Sequence, residues 1–171
     1  MVVWIIGLSG SGKSTLAQEV VRLARGQGES VVLLDGDVVR QVFGNDLGHS
    51  LEDRHKNARR INGLCKLLDD QGVHVVCAIL SLFEDTRRWN RENLRAYHEV
   101  FLDVPLDILA ARDPKGLYRE ALAGRMTDMP GVDMPFLRPE APDRIIRNTG
   151  DLDALLAHAP DIAQRITGRA S

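Results

Sequence analysis

A glycine-rich run near the N-terminus restricts the fold more than any other feature of the chain. From Gly7 to Ser14 the sequence reads Gly-Leu-Ser-Gly-Ser-Gly-Lys-Ser, after the strand-like Val2–Ile6 and before a helical pattern over Ser14–Arg25. Glycines there let backbone N–H groups turn inward around phosphate oxygens, and the N-terminus of the following helix adds positive potential. Because motif, strand and helix agree, the sequence predicts a loop that binds a nucleoside triphosphate.

Apolar runs of strand length alternate with helical patterns along the whole chain. Their near-continuous apolarity is typical of strands covered on both faces, and the alternation predicts an α/β fold with five parallel strands and helices on both faces. The predicted strands are Val2–Ile6, Val31–Leu34, Val73–Ile79, Val100–Val104 and Ile145–Ile146. The predicted helices are Ser14–Arg25, Glu52–Asp70, Glu84–Tyr97, Pro105–Arg112 and Asp151–Thr167, the last broken or kinked at Pro160.

Length and composition indicate one globular domain over residues 1–171, with 44% hydrophobic and 27% charged residues. A net charge of −2 argues against nucleic acid or an anionic membrane as the main partner. No apolar run is long enough to span a membrane, and no signal-peptide pattern opens the sequence. Cys65 and Cys77 are too few for a disulfide framework and are predicted to be buried thiols, so we expect a cytoplasmic protein.

Prolines are concentrated in one segment. Five of the seven lie between residues 114 and 142, together with several glycines. This composition predicts a long ordered loop or lid over approximately 114–142 rather than part of the sheet.

Charged side chains follow the glycine-rich loop and the second predicted strand. Lys13 offers a cation to the β- and γ-phosphates, and the Ser14 hydroxyl is a ligand for Mg²⁺. Asp35 and Asp37 lie where the second strand ends, the edge of a parallel sheet at which ligands bind. Helix capping would also explain both carboxylates. Beside a phosphate loop, Asp37 is the better candidate for taking a hydroxyl proton or orienting the metal.

Two helical segments carry charge patterns that are open to more than one interpretation. Arg54 and Asn57 are one turn apart and could hold an anion and a sugar hydroxyl, although the charge pattern alone favours a solvated first helical turn. A second group of arginines is interpreted as a solvated helix face, with a dimer surface as the alternative. This group is Arg87, Arg88, Arg91 and Arg95.

Together these motifs resemble the adenylylsulfate kinase family over nearly the whole chain. The segments that carry the resemblance are Gly7–Thr15, Leu34–Arg40, Asp46–Asn57 and Arg112–Tyr118. The resemblance implies a P-loop kinase fold, commonly dimeric, which transfers the γ-phosphate of ATP with Mg²⁺ to the ribose 3′-hydroxyl of adenylylsulfate. It makes Asp37 and Lys13 the catalytic residues, and Ser14 and Asp37 the metal-side residues.

The resemblance also assigns the two substrate subsites. The ATP-binding residues it implies are Gly10, Ser11, Gly12, Lys13, Ser14, Thr15, Arg112, Asn148 and Thr149. The acceptor-binding residues it implies are Asp37, Arg40, His49, Arg54, Asn57, Ile79, Leu80, Ser81, Lys115 and Met129.

Three positions depart from the family's pattern. His49 and Met129 stand where the family has two phenylalanines around the acceptor's adenine. Glu84 stands where the family has a cation, so we expect it to face the anionic acceptor. These departures motivate a second hypothesis, in which the same transfer is made to another nucleotide, such as cytidine diphosphoramidate in capsule polysaccharide biosynthesis. A third hypothesis is a nucleotide-binding module without turnover, against which Asp37, Lys13 and Lys115 count.

Overall fold

The computed structural model describes residues 1–168, whose strands form one parallel five-stranded sheet in the order β2-β3-β1-β4-β5. This arrangement confirms the predicted α/β fold. Residues 169–171, the end of the predicted domain, lie outside the described part. The strands are β1 (Val2–Ile6), β2 (Val31–Asp35), β3 (His74–Ile79), β4 (Tyr97–Asp103) and β5 (Arg144–Arg147).

The helices follow the predicted pattern with four differences, the first of which is an additional short helix over Gly36–Val42. Tyr97 opens β4 instead of closing α4, and a short helix, α6, lies inside the proline-rich segment. The predicted C-terminal helix is two helices, because Pro160 occupies the first turn of α8, where a missing N–H costs nothing. The helices are α1 (Lys13–Gly26), α2 (Gly36–Val42), α3 (Leu51–Asp70), α4 (Glu84–Asn93), α5 (Leu106–Arg112), α6 (Leu117–Leu122), α7 (Leu152–Leu156) and α8 (Ala159–Thr167).

Apolar side chains cover both faces of the sheet. On one face α1 and α8 pack over β1, with Leu16, Val20 and Ile162 fully buried. On the other face α3 packs over Trp4 and the side chain of Cys77. Cys65 and Cys77 are both buried and free, as predicted. In the range 1–168, no helix is long and apolar enough to cross a membrane.

A third apolar cluster joins the proline-rich segment to the rest of the fold. We call residues 114–142 the lid segment, and the buried group Val104, Leu109, Tyr118 and Met129, with Leu8 packed against it, the lid cluster. Leu8 belongs to the glycine-rich loop and Met129 to the lid segment. The cluster therefore connects the loop that follows β1 with the segment that covers it.

The interpretation of the arginine-rich helix as a solvated face is wrong for Arg87. Its side chain is 2% exposed; Nη1 donates to the Ser81 carbonyl at 2.8 Å, and the guanidinium pairs with Glu84. The buried carboxylate of Glu99 on β4 lies 3.9 Å from Nε. A buried cation is tolerated here because acceptors surround it.

Candidate active site

A cavity of about 530 Å³ opens at the carboxyl ends of β1, β2 and β3. The glycine-rich loop forms one end of it. The start of α2, the start of α3, the β3–α4 loop and the lid segment form the other. We call these the phosphate end and the acceptor end, and polar groups from both face the same space.

At the phosphate end, Lys13 is half-buried and its Nζ donates to the Leu8 carbonyl at 2.8 Å. Burial disfavours the charged amine and lowers the pKa of Lys13 to about 8, although Asp37 and Asp35 pull the other way. Gly12 has φ 94°, and an added Cβ there would lie 2.7 Å from the Leu155 side chain. Only glycine fits this bend.

Asp35, which the sequence predicts at the ligand-binding edge of the sheet without a specific role, reaches the phosphate end. Its Oδ2 accepts the Ser14 hydroxyl at 2.5 Å, while its Oδ1 caps α2 by accepting from Asp37 N at 3.0 Å. Capping and site formation are therefore compatible. The carboxylate beside Ser14 is that of Asp35, whereas the Asp37 carboxylate turns toward the lid segment. The position of Asp35 at the end of a parallel strand was the signal for it.

Asp37 pairs with Lys115 of the lid segment across the cavity. The hydrogen bond from Lys115 holds the pKa of the Asp37 carboxyl below its usual range, and Lys13 and Arg40 act in the same direction. Asp37 is therefore a carboxylate at neutral pH. Because both side chains are largely exposed, an incoming ligand can displace this pair.

At the acceptor end, arginines hold backbone carbonyls. Arg40 Nη1 donates to the Leu47 and Gly48 carbonyls at 3.1 and 3.0 Å. Arg54 Nε donates to the His49 carbonyl at 2.8 Å, and its Nη2 donates to the Asp128 carbonyl of the lid segment at 2.9 Å. Desolvation and the nearby arginines lower the pKa of His49 below its ordinary value, so its imidazole is neutral at pH 7.

Two further groups shape the acceptor end. Asn57 lines the cavity and is 5% exposed, and its Oδ1 has no hydrogen-bond partner among the described residues. Ser81 has a left-handed backbone with φ 51°, held by Trp4 Nε1, which donates to its Oγ at 3.1 Å, and by Arg87 on its carbonyl. Such a conformation persists only where neighbours fix it.

The structure brings all the predicted acceptor residues to one cavity, together with most of the predicted ATP residues. Those that line it are Gly10, Gly12, Lys13, Ser14, Thr15, Asp37, Arg40, His49, Arg54, Asn57, Ile79, Leu80, Ser81, Lys115 and Met129. Ser11, Arg112, Asn148 and Thr149 lie outside the lining.

The four residues outside the lining still border the glycine-rich loop or a segment next to it. Asn148 Nδ2 donates to the Ser11 carbonyl at 2.9 Å, and Arg112 Nη2 donates to the Gly150 carbonyl at 3.0 Å. Thr149 lies between these two contacts along the chain and is exposed. The β5–α7 connection is thereby tied to both the loop and α5.

Two of the family departures have a different meaning in the structure. Glu84 does not line the cavity, because its carboxylate pairs with the buried Arg87. The expectation that it faces the acceptor is therefore wrong. Met129 is 5% exposed and packs in the lid cluster, so it offers the cavity only an edge. Cavity-lining residues that were not assigned from the sequence include Phe83, Met126, Thr127 and Asp128.

A glycine-rich loop facing a polar cavity at the carboxyl edge of a parallel sheet defines a nucleotide-binding P-loop protein of the kinase type. Residues 1–147 match the family model described as adenylylsulphate kinase. The chain belongs to the adenylylsulphate kinase family.

Individual relatives agree with this family. The chain is 43% identical over 153 residues to the adenylyl-sulfate kinase of Bacillus pumilus. This alignment covers 88% of this chain and 77% of that protein. It is 44% identical over 172 residues to the bifunctional enzyme NodQ of Rhizobium meliloti, covering 98% of this chain. It spans only 27% of the length of that protein, and 25% of the NodQ of Rhizobium tropici.

Solved structures extend the likeness to three dimensions. The Mycobacterium tuberculosis APS kinase CysC, in complex with AMPPNP and APS, superimposes with a TM-score of 0.87 at 36% identity, covering 98% of this chain and 97% of that one. A sugar kinase from Janibacter sp. shares the fold alone, with a TM-score of 0.62 at 19% identity.

Proposed function

We propose that this protein transfers the γ-phosphate of ATP to the ribose 3′-hydroxyl of adenylylsulfate. The observation that carries the proposal is the shared cavity, in which Asp37 lies between Lys13 of the phosphate end and Lys115 of the acceptor end. Phosphoryl transfer depends mainly on positioning and charge stabilisation, and these residues supply both. The likeness to an APS kinase in complex with AMPPNP and APS supports the same assignment.

ATP would occupy the phosphate end. Backbone N–H groups of the glycine-rich loop and the Lys13 amine would hold its phosphates, with Arg112 and the backbone near Asn148 and Thr149 reaching its base. Mg²⁺ fits this end, because Ser14 and Asp35 offer adjacent oxygen ligands and magnesium usually takes few protein ligands beside the phosphates. Asp37, the second carboxylate of the cavity, faces Lys115 of the lid segment and not Ser14. The bound ion would neutralise charge that develops on the phosphates.

The acceptor would occupy the opposite end. Arg40 and Arg54 surround the 47–49 loop with positive charge, and Lys115 can release Asp37 to meet an anionic group. The buried Oδ1 of Asn57 needs a donor, which a nucleotide hydroxyl or amine can provide. Asp37, ionised at neutral pH, would then orient the ribose hydroxyl toward the γ-phosphate.

One observation favours a second acceptor. This chain has no phenylalanine at the two positions where the family's phenylalanines surround the acceptor's adenine. His49 is exposed, and Met129 packs in the lid cluster. A nucleotide with another base, such as cytidine diphosphoramidate, would use the same transfer residues. A non-catalytic binding module is the remaining possibility, and it requires that the gathered charges bind ATP without turnover.

The decisive experiment measures ADP release with Mg²⁺, ATP and a panel of acceptors. We expect adenylylsulfate to give the highest kcat/KM, with a 3′-phosphorylated product and little ADP in its absence. Rapid turnover of the cytidine acceptor beside poor turnover of adenylylsulfate would replace the proposed substrate. Tight ATP binding with no ADP from any acceptor would leave only the binding module.

We also propose a homodimer, as is common in the family; a hexameric APS kinase from Thiobacillus denitrificans shows that relatives assemble. Sedimentation of the purified chain would test this, and a monomer at micromolar concentration would contradict it.

A further inference from the structure

The motif Arg112–Tyr118 contains a tyrosine to which the proposed function gives no role. Asp113 accepts hydrogen bonds from the backbone N–H groups of Tyr118 and Arg119 at 3.2 and 2.9 Å, which fixes the start of α6. The Tyr118 side chain is 1% exposed. Its hydroxyl donates to the carbonyl of Ser9, in the glycine-rich loop, at 2.9 Å. Burial raises the pKa of Tyr118 to about 12, so the hydroxyl keeps its proton.

This single bond fixes the direction of a peptide group. In a trans peptide the C=O of one residue and the N–H of the next point in opposite directions, and no cis peptide is present in the described chain. Tyr118 belongs to the lid cluster, whereas Ser9 and Gly10 line the cavity. With the Ser9 carbonyl held by the Tyr118 hydroxyl, the Gly10 N–H points the opposite way, and Gly10 itself lines the cavity.

Apolar contacts tie the same part of the loop to the lid segment. Leu8 packs in the lid cluster, and its side chain lies 3.0 Å from where a Cβ on Gly131 would be. A Cβ on Gly10 would lie 3.7 Å from Pro114. The Leu8 carbonyl accepts from Lys13, the amine that would leave it for a phosphate. Loop and lid segment therefore share one packed unit with Met129.

We propose that Tyr118 is a positioning residue for the triphosphate: its hydroxyl orients the Ser9–Gly10 peptide so that the Gly10 N–H donates to ATP, and it couples ATP binding to the lid segment. This inference rests on the proposed function, because it requires ATP at the phosphate end. The lid segment is therefore connected to the ATP site through Tyr118 as well as through Lys115.

Tyr118→Phe removes the hydroxyl and keeps the ring in the lid cluster. We expect the dissociation constant of Mg²⁺-AMPPNP, measured by calorimetry, to rise about tenfold, equivalent to about 1.4 kcal/mol. The KM for ATP should rise in parallel. The acceptor KM at saturating ATP should change less than about twofold. A general loss of protein stability would instead affect both substrates alike, so the comparison of the two KM values separates a positioning role from a structural one.

The other tyrosine of the chain provides a matched control. Tyr97 also has a bonded hydroxyl, which donates to Glu99 Oε2 at 2.8 Å, but it lies at the amino end of β4, away from the cavity. Tyr97→Phe should leave AMPPNP affinity unchanged, whatever it does to the unfolding temperature. Equal affinity in wild type and Tyr118→Phe, or an equal loss in both variants, would overturn the inference.

A second measurement uses only the wild-type protein. Hydrogen exchange of residues 117–130 should slow when Mg²⁺-AMPPNP binds without acceptor, because the loop and α6 are connected. Unchanged exchange in the presence of bound AMPPNP would also overturn the inference. Failure of the wild type to bind AMPPNP at all would instead refute the proposed function, so the two failures are distinguishable.

Discussion

The two ends of the cavity are built in different ways. The phosphate end comes mainly from one contiguous segment between β1 and α1, to which β2 adds Asp35, and close packing fixes the backbone of that segment. An added Cβ at Gly7 would lie 2.5 Å from Ser11 Oγ. The acceptor end comes from segments far apart in the chain, joined by side chains that bond to backbone carbonyls, as Arg54 does with His49 and Asp128.

Because of this difference, we expect the phosphate end to determine phosphoryl transfer and the acceptor end to determine which substrate receives the phosphate. A loop with a closely packed backbone tolerates few changes, whereas an acceptor end assembled from side chains of several segments can change its specificity while the phosphate end stays in place. His49 and Met129 illustrate this freedom, since both depart from the family's pattern without disturbing the bonds of Arg40 or Arg54. Variants that affect only one end test whether the separation is real.

The largest effect is expected at the junction of the two ends. Asp37→Asn keeps the shape but removes the charge that we propose orients the hydroxyl, so kcat should fall about 10³-fold, within the usual range for a positioned acid–base group. The KM for ATP should change little. Steady-state kinetics with both substrates varied would measure this. Asp46→Asn is the control, because Asp46 pairs with Arg60 outside the cavity; unaltered kcat in Asp37→Asn would refute the role of Asp37.

A second variant removes one cation from the acceptor end alone. Arg54→Ala should raise the acceptor KM about 30-fold, since hydrogen bonds to charged groups contribute about 2 kcal/mol. ATP affinity should stay the same. Arg60→Lys, six residues along α3 at a side chain bound to Asp46, should behave as wild type. If Arg54→Ala weakened ATP as much as the acceptor, the two ends would not be independent.

The fold and the phosphate end could be read from the sequence because both depend on local patterns. The strand, loop and helix around Lys13 follow one another along the chain, and apolar runs identify every strand core. The burial of Arg87 and the turning of Met129 into the lid cluster depend on contacts between distant segments. Charge pattern alone does not distinguish a solvated arginine from one facing a buried carboxylate such as Glu99. Tyr118 lies within the motif Arg112–Tyr118, but the sequence does not predict its contact with Ser9, because the two residues are far apart in the chain.

The third prediction concerns the pH dependence of ATP binding at the phosphate end. Lys13 binds phosphate in its charged form, and its pKa of about 8 in the free protein means that this form is lost as pH rises through 8. ATP raises that pKa, so binding takes up a proton, and affinity should fall about tenfold between pH 7 and pH 9. Calorimetry in buffers of different ionisation enthalpy would detect the proton. Lys13→Arg should remove this pH dependence, because guanidinium stays charged.

The smallest predicted effect tests the specificity of the acceptor end. His49→Phe restores the ring that the family has at this position, and because the imidazole is neutral at pH 7, the change removes polarity but no charge. A stacked aromatic pair contributes about 0.5–1.5 kcal/mol, so the KM for adenylylsulfate should fall about threefold to tenfold, with the KM for ATP unchanged. His49→Ala should shift the adenylylsulfate KM in the opposite direction. If His49→Phe instead raised the KM for adenylylsulfate, the imidazole itself would contact the base of the acceptor. The acceptor end would then be adapted to a different nucleotide, while the phosphate end remained that of the family.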